Sequence, residues 1–310
     1  MLTQIKGLHH VTSLAADAQQ NSDFFTKLLG MRRVKKTVNF DAPDVYHLYY
    51  GDEAGTPGSV MTYFPFPHIV KGQRGTGEVA ETAFAVPVDT LDYWRERLAA
   101  AAVGGLEEVE QFGEKRLRFE GPDGDGFALV EVPGDTRAPY ADGPVPADLG
   151  IRGFRGVTMR LREADATARL LSFMGYREIA REGALIRMAL DNGNGADVVD
   201  LEALPDVGRA REGAGSVHHV AFAVENREAQ AEVRKALIEA GAHVTPVIDR
   251  DYFWAIYFRT PGGILFEIAT NEPGFERDED LAHLGRALKL PAQHAHLRPQ
   301  LEQSLMALAD

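Results

Sequence analysis

The chain has 310 residues, enough for two compact cores of about 150 residues each, and its 45% hydrophobic and 25% charged content is ordinary for a globular protein in water. It has no cysteine, which excludes disulfides, zinc–thiolate and iron–sulfur sites and thiol nucleophiles, so any metal must be held by His, Asp or Glu. A net charge of −13, from 33 Lys and Arg against 46 Asp and Glu, argues against nucleic acid or an anionic membrane surface as a partner. No apolar run approaches the roughly 18 residues that cross a bilayer. Met1–Leu14 lacks the basic-then-apolar pattern of a signal peptide, so a cytoplasmic address is expected.

Four stretches of similar make-up follow one another, each of about 50–75 residues. The first opens with "LHHVTSL", continues in a helical pattern from Asp17 to Leu29, turns at Gly30 and ends in the strand-like "VYHLYY" and "SVMTYFPF". The second has "AETAFAV", a helix over Leu91–Ala102 ended by Gly104 and Gly105, then "KRLRFE" and "FALVEV". In the third, "FRGVTMRL" precedes a helix over Ala164–Met174 ended by Gly175, and "ALIRMAL" and "ADVVDLE" follow. The fourth has "VHHVAFAV", a helix over Glu228–Ala240 ended by Gly241, then "WAIYFRT" and "ILFEIAT". Glycine accepts the left-handed conformation that closes a helix, and the alternation of the last two segments is that of strands, so the common unit is βαβββ. Asp135–Gly150, rich in Pro, Asp and Gly, reads as a linker. Modules 1 and 2 then occupy residues 1–140 and modules 3 and 4 residues 150–274. In the remaining tail, 275–310, "DLAHLGRALKL" and "LEQSLMALA" read as helices.

Four βαβββ units, with His before the valine of a first strand and Glu in a last strand, resemble the vicinal oxygen chelate (glyoxalase/bleomycin-resistance/extradiol dioxygenase) superfamily. Within it the chain is most similar to the ring-cleaving dioxygenases of hydroquinones, along essentially its whole length. The stretch "VKKTVNFDAPDVYHLYYGDEAGTPGSVMTYFPFP" (Val34–Pro67) and the tail "LPAQHAHLRPQLEQSL" (Leu290–Leu305) carry this similarity. The resemblance implies an α+β fold in which modules pair into two curved mixed-sheet cups, with a metal on a concave face.

Strand alternation gives the facing of the candidate ligands without that help. In "VHHVAFAV" one face carries His218, Val220, Phe222 and Val224, and the other His219, Ala221 and Ala223. In "ILFEIAT" Glu267 lies opposite Ile264, Phe266 and Ile268. The bulky faces belong against helices, which leaves His219 and Glu267 on the roomier face, with His10 as the counterpart in module 1. Superposed on these positions, module 1 offers His10 and about Thr62, and module 4 His219 and Glu267. Module 2 offers Glu81 and Glu131, and module 3 Gly156 and about Asp200. Only modules 1 and 4 together supply two imidazoles and a carboxylate, the facial triad of non-haem Fe(II) oxygenases. Module 1 is therefore expected to pair with module 4, and module 2 with module 3. Thr62, a poor ligand, stands where the glyoxalases have a fourth.

The expected cofactor is Fe(II), with Mn(II) as the alternative, held by His10, His219 and Glu267. The resemblance implies an acid/base role for His9 and substrate contacts for Arg250 and Tyr257. His47, Trp254 and Phe40 are expected to line the pocket, and His218 to face the helices. "GPDGDG" (Gly121–Gly126) reads as a hairpin turn rather than a calcium loop, "GQRGTG" (Gly72–Gly77) is not set between strand and helix as a phosphate loop must be, and His294 and His296 read as solvated. The expected activity is extradiol-type opening of a hydroquinone or catechol ring with O2, the partners being a small aromatic diol and dioxygen, with a homo-oligomer left open. The alternatives are a glyoxalase-like metal-dependent isomerase or epimerase and a non-catalytic drug- or quinone-binding protein.

Overall fold

The computed structural model describes residues 1–309. Module 1 comprises β1 (Ile5–Ala15), α1 (Ala18–Asp23), β2 (Arg32–Asn39), β3 (Ala42–Gly51) and β4 (Val60–Pro65). Module 2 comprises β5 (Glu78–Val86), α2 (Leu91–Ala100), β6 (Glu107–Gln111), β7 (Glu114–Glu120) and β8 (Gly126–Glu131). Module 3 follows as β9 (Phe154–Leu161), α3 (Asp165–Phe173), β10 (Arg177–Glu182), β11 (Leu185–Ala189) and β12 (Val198–Ala203). Module 4 is β13 (Val217–Val224), α4 (Arg227–Glu239), β14 (Ile248–Asp249), β15 (Phe253–Arg259) and β16 (Leu265–Pro273). The helix of module 1 starts where the Asp17 carboxylate accepts from the Gln20 amide at 2.7 Å, and α4 where the Asn226 side chain accepts from Ala229 at 3.0 Å. The segment Phe24–Leu28 continues α1 as a wider π turn. Gly175 and Gly241 end α3 and α4 with φ of 104° and 90°, angles that a residue with a Cβ adopts only under strain.

The strands form two eight-stranded sheets, in the orders β14-β15-β16-β13-β1-β4-β3-β2 and β10-β11-β12-β9-β5-β8-β7-β6. The first and last modules therefore share one curved sheet and the two middle modules the other, the pairing expected from the ligand positions. In each sheet the two first strands run antiparallel at the centre, β1 against β13 and β5 against β9. Each has its module's last strand parallel on its outer side.

The convex faces turn toward the helices and toward each other. Phe25 stacks on Tyr50 of the first sheet, with ring centroids 4.8 Å apart, and meets Phe127 of the second at 5.9 Å. Tyr176 of module 3 likewise meets Phe222 of module 4 at 5.9 Å. One apolar core thus joins both sheets. Tyr63 donates across the same junction to the fully buried Asp125. The linker is pinned by Trp94, whose indole donates to the Leu149 carbonyl at 3.0 Å, and Gly121–Gly126 is the expected turn between β7 and β8. No helix among the described residues is long and apolar enough to cross a membrane.

The tail differs from the sequence reading. "DLAHLGRALKL" has one 3₁₀ turn, Leu281–His283, and α5 covers only Arg298–Ser304. This stretch is drawn to the edge of the sheet instead: the chain lies along β2, bridging Lys36 to Leu288, and the Lys289 amide donates to the Lys36 carbonyl. Pairing with an open edge satisfies backbone groups that a helix would have satisfied internally. The tail is clamped by Lys35, fully buried, whose ammonium reaches Asp278 and Glu279 at 2.6 Å each beneath the Tyr252 ring.

Two predictions follow from these buried charges. Lys35→Ala strands Glu279 without its partner and is expected to lower stability by about 3–5 kcal/mol, read by denaturant unfolding, with early proteolytic loss of the tail. Burial pushes the Asp125 carboxyl up to about 6. Its folded value lies above its unfolded one, so this group favours the fold at low pH and that contribution is lost as pH rises from about 4 through 6. Asp125→Asn should therefore gain stability over the wild type across that interval, by roughly 3 kcal/mol, in melts taken at pH 4 and pH 7.

Candidate metal centre and cavity

The concave face of the first sheet brings His10, His219 and Glu267 together, one each from β1, β13 and β16. Register explains the convergence. His10 pairs with Ala221 and Thr12 with His219, so the two imidazoles sit diagonally across the central strand pair, and Glu267 lies beside Ala221 on the parallel neighbour. His10 Nε2 and His219 Nε2 are 3.3 Å apart, and Glu267 Oε2 is 3.4 Å from the first and 2.9 Å from the second.

The proton positions follow from the partners. His9 Nε2 stands 3.1 Å from the Thr270 carbonyl, which can only accept, so that nitrogen carries the proton and His9 Nδ1 is bare. His10 Nδ1, 2.9 Å away, must then donate to it, and His10 Nε2 is left with a lone pair aimed at Glu267 and His219. On the other side His219 Nδ1 meets His218 Nδ1 at 2.7 Å, and the same protonation leaves His219 Nε2 bare. Burial lowers His219 to about 4 and His9 to about 3, keeping both rings neutral. Burial raises the Glu267 carboxyl, but the two adjoining imidazoles outweigh it and hold it well below the usual carboxylate range.

The result is a cluster of three acceptors with no donor among them. Both Glu267 oxygens are buried without a hydrogen bond among the described residues. Such a cluster is costly unless a cation fills it. Three atoms each about 2.0–2.3 Å from one ion stand roughly 3.0–3.5 Å apart, which matches the observed edges. The residues therefore fit a divalent metal.

Both supporting histidines owe their position to β-bulges. Between Leu8 and His10 the partner strand advances one residue only, which makes His9 the extra residue on β1; between His219 and Val217 the extra residue is His218 on β13. A bulge turns its residue off the regular alternation. This corrects the expectation that His218 faces the helices: it lies on the cavity wall, its Nε2 without a partner among the described residues. His9 is turned the other way, behind His10 and against Phe253, where it borders a separate small pocket and not the main cavity. The structure does not bring it to where an acid/base group would meet substrate.

The cavity above the triad encloses about 700 Å³. Of the expected residues, His47, Phe40, Arg250 and Tyr257 line it. Arg250 Nε donates to the Tyr257 hydroxyl at 3.2 Å and its guanidinium reaches Asp41 at 3.0 Å. Burial and the Glu267 charge raise Tyr257 well above the ordinary phenol range, so it stays protonated. His294 Nε2 binds the Phe40 carbonyl at 2.9 Å, so this tail residue is not simply solvated but anchors the rim. Trp254 is a correction. It lies under the Arg227 guanidinium, 4.6 Å from the charge, because period-two alternation back from Tyr257 gives the concave positions to Ala255 and Phe253 and turns Trp254 to the other face. Sequence reading also missed Tyr49 and Phe64 on the cavity wall; period-two alternation from His47 reaches Tyr49, whereas a bulge leaves no sequence mark.

The second sheet repeats the frame with other contents. Glu81 pairs with Thr158 and Ala83 with Gly156, around bulges at Ala80 and Arg155, so Glu81 and Gly156 stand where His10 and His219 stand in the first. Asp200 takes the place of Glu267, as expected. The position matching Thr62 is Ala128, opposite Ala83, and not Glu131. Glu131 lies three residues further on and accepts from the Thr90 amide at the start of α2. Arg116 and Arg118 bind Glu81, and Arg187 binds Asp200 with both ends of its fork, so this concave face is filled by its own ion pairs.

These features place the protein in a class of metal-dependent paired-module folds, and the sequence comparisons agree. The chain belongs to the glyoxalase/bleomycin resistance protein/dioxygenase superfamily, whose model matches residues 7–129 and 144–268. Among individual relatives, it is 41% identical over 309 residues to MhqO of Bacillus subtilis, provisionally named a ring-cleaving dioxygenase, covering 99% of this chain and 97% of that one. It is 37% identical over 312 residues to the chlorohydroquinone/hydroquinone 1,2-dioxygenase of Sphingobium indicum, covering 97% and 96% of the two chains. A provisionally named dioxygenase crystal structure from Bacillus subtilis superposes with a TM-score of 0.95 at 40% identity, over 99% of this chain and 98% of that one. Glyoxalase I of maize, at 16% identity and a TM-score of 0.63 over 86% and 92% of the chains, shares the fold.

The geometry predicts one tight divalent-metal site per chain. His219→Ala should abolish it, and His9→Ala should weaken it about 10–100-fold by freeing the tautomer of His10, both read by metal titration of the purified protein.

Proposed function

We propose that the protein is an Fe(II)-dependent dioxygenase that opens the ring of a hydroquinone or catechol. The observation that carries this is the donor-free triad of His10, His219 and Glu267 at the floor of a cavity large enough for an aromatic ring, together with the names of relatives aligned over nearly the whole chain. Ferrous iron at such a triad supplies open positions for a phenolate and dioxygen and the electrons that activate the latter; Mn(II) fits the same donors. A four-ligand isomerase site is disfavoured by Thr62, whose hydroxyl is already engaged by Thr12 and His47.

The protein's own groups divide the remaining work. Phe64 and Phe253 give the ring apolar walls. The Tyr257 hydroxyl accepts from Arg250, which leaves its own proton to donate to an oxygen gaining negative charge in the cavity once Glu267 is engaged by a cation. His218 accepts from His219 at Nδ1, which fixes that ring, and so carries its own proton on Nε2, which faces the same space and can donate to an oxygen gaining negative charge. His9 does the fixing for His10 alone and acts as a positioning residue.

Protein reconstituted anaerobically with Fe(II) should consume one O2 per diol when hydroquinones or catechols are added under an oxygen electrode. His218→Ala should weaken metal binding about 10–100-fold, as His9→Ala does, and at saturating Fe(II) should in addition lose roughly 10²–10⁴-fold in turnover. Metal-loaded protein that binds diols yet consumes no oxygen would overturn the dioxygenase reading.

A further inference from the structure

Four side chains form a hydrogen-bonded row across the concave face of the first sheet. Thr12 on β1 meets Thr62 on β4 at 3.0 Å, Thr62 meets His47 Nε2 on β3 at 2.7 Å, and His47 Nδ1 meets the Tyr49 hydroxyl at 2.8 Å. All four are buried, and His47 and Tyr49 border the cavity. The direction of the row is fixed by its closed end. The Thr12 hydroxyl has no partner among the described residues except Thr62, so its proton must go there, since an orphaned buried donor costs as much as a lost hydrogen bond. Thr62 then donates to His47 Nε2, His47 is protonated on Nδ1, and that N–H donates to the Tyr49 oxygen. Every proton in the row is used except that of Tyr49. Reversing the row would orphan Thr12 in the interior instead.

We infer that the Tyr49 hydroxyl is a fixed donor to the oxygen of a para-diol that lies remote from the metal, and that it makes the site selective for hydroquinones over catechols. This rests on the diol reading proposed above. A ring bound by one oxygen at the triad on β1, β13 and β16 extends over the neighbouring strands, and β3 lies on that side, two strands beyond β1. A para-diol carries its second oxygen to the far end of the ring. A catechol keeps both oxygens at the metal and offers Tyr49 nothing. Burial and the nearby Glu267 charge hold the Tyr49 phenol well above its ordinary range, consistent with a donor that does not ionise. The remote oxygen gains carbonyl character as the ring is oxidised, and a neutral donor there favours that change.

The test uses Zn(II)-loaded protein, which binds without turnover, and compares hydroquinone with phenol, which lacks the remote oxygen. Wild type should bind hydroquinone about tenfold more tightly. Tyr49→Phe should remove most of that preference while phenol binding and zinc content stay within twofold, and His47→Leu, which frees the Tyr49 proton to turn, should lower the preference part way. A wild type with no preference, or a Tyr49→Phe protein that loses hydroquinone and phenol equally, overturns the inference. Oxygen uptake by the iron-loaded wild type is a separate readout: its absence with the binding preference intact would sink the dioxygenase reading and leave the Tyr49 contact standing.

Discussion

The antiparallel pairing of β1 with β13 is the constraint on which the site depends. It joins residues some 210 positions apart in the chain, and its register puts His10 and His219 within 3.3 Å of each other. A slip of one residue in either strand would send that strand's ring to the helix-packed face. The same pairing carries the two bulges, and these supply each ligand histidine with a neighbour of its own kind. Two histidines in succession are therefore not a redundancy: one ring turns a lone pair toward Glu267 and the other accepts that ring's Nδ1 proton.

The two sheets show how little of this belongs to the backbone. Both have the central antiparallel pair, the flanking parallel strands and bulges at matching places. In one the matching positions carry neutral acceptors and leave a space that asks for a cation. In the other, arginines have grown into the same space and satisfy Glu81 and Asp200 directly. A buried carboxylate is tolerable with either solution, a metal or a guanidinium, and that choice is what distinguishes the two concave faces.

The environment of the candidate centre is consistent from floor to rim. Burial keeps the His9 and His219 rings neutral, while the phenols of Tyr49 and Tyr257 are held in their donor form by burial and by the Glu267 charge. Arg250 contributes a charge at the edge, shared with Asp41. The tail reaches this region from outside, through Glu279 at Lys35 of β2 and through His294 at Phe40, so the rim is braced by residues far from it in the chain.

By itself the sequence determined the four-module repeat, the family resemblance, the three candidate ligands and the pairing of outer with outer and inner with inner modules. Periodicity reports which way a regular strand faces, and a two-histidine, one-carboxylate set could be assembled in only one way. Tertiary structure decided what regularity cannot encode. Bulges put His218 on the cavity wall and turned His9 behind His10. A free sheet edge drew the tail out of the helices its composition suggests, and Glu131 went to cap α2 because strand register placed it three residues past the matching site. Each of these outcomes depends on a partner strand or an edge supplied by a distant segment, so no local pattern of residues could announce it.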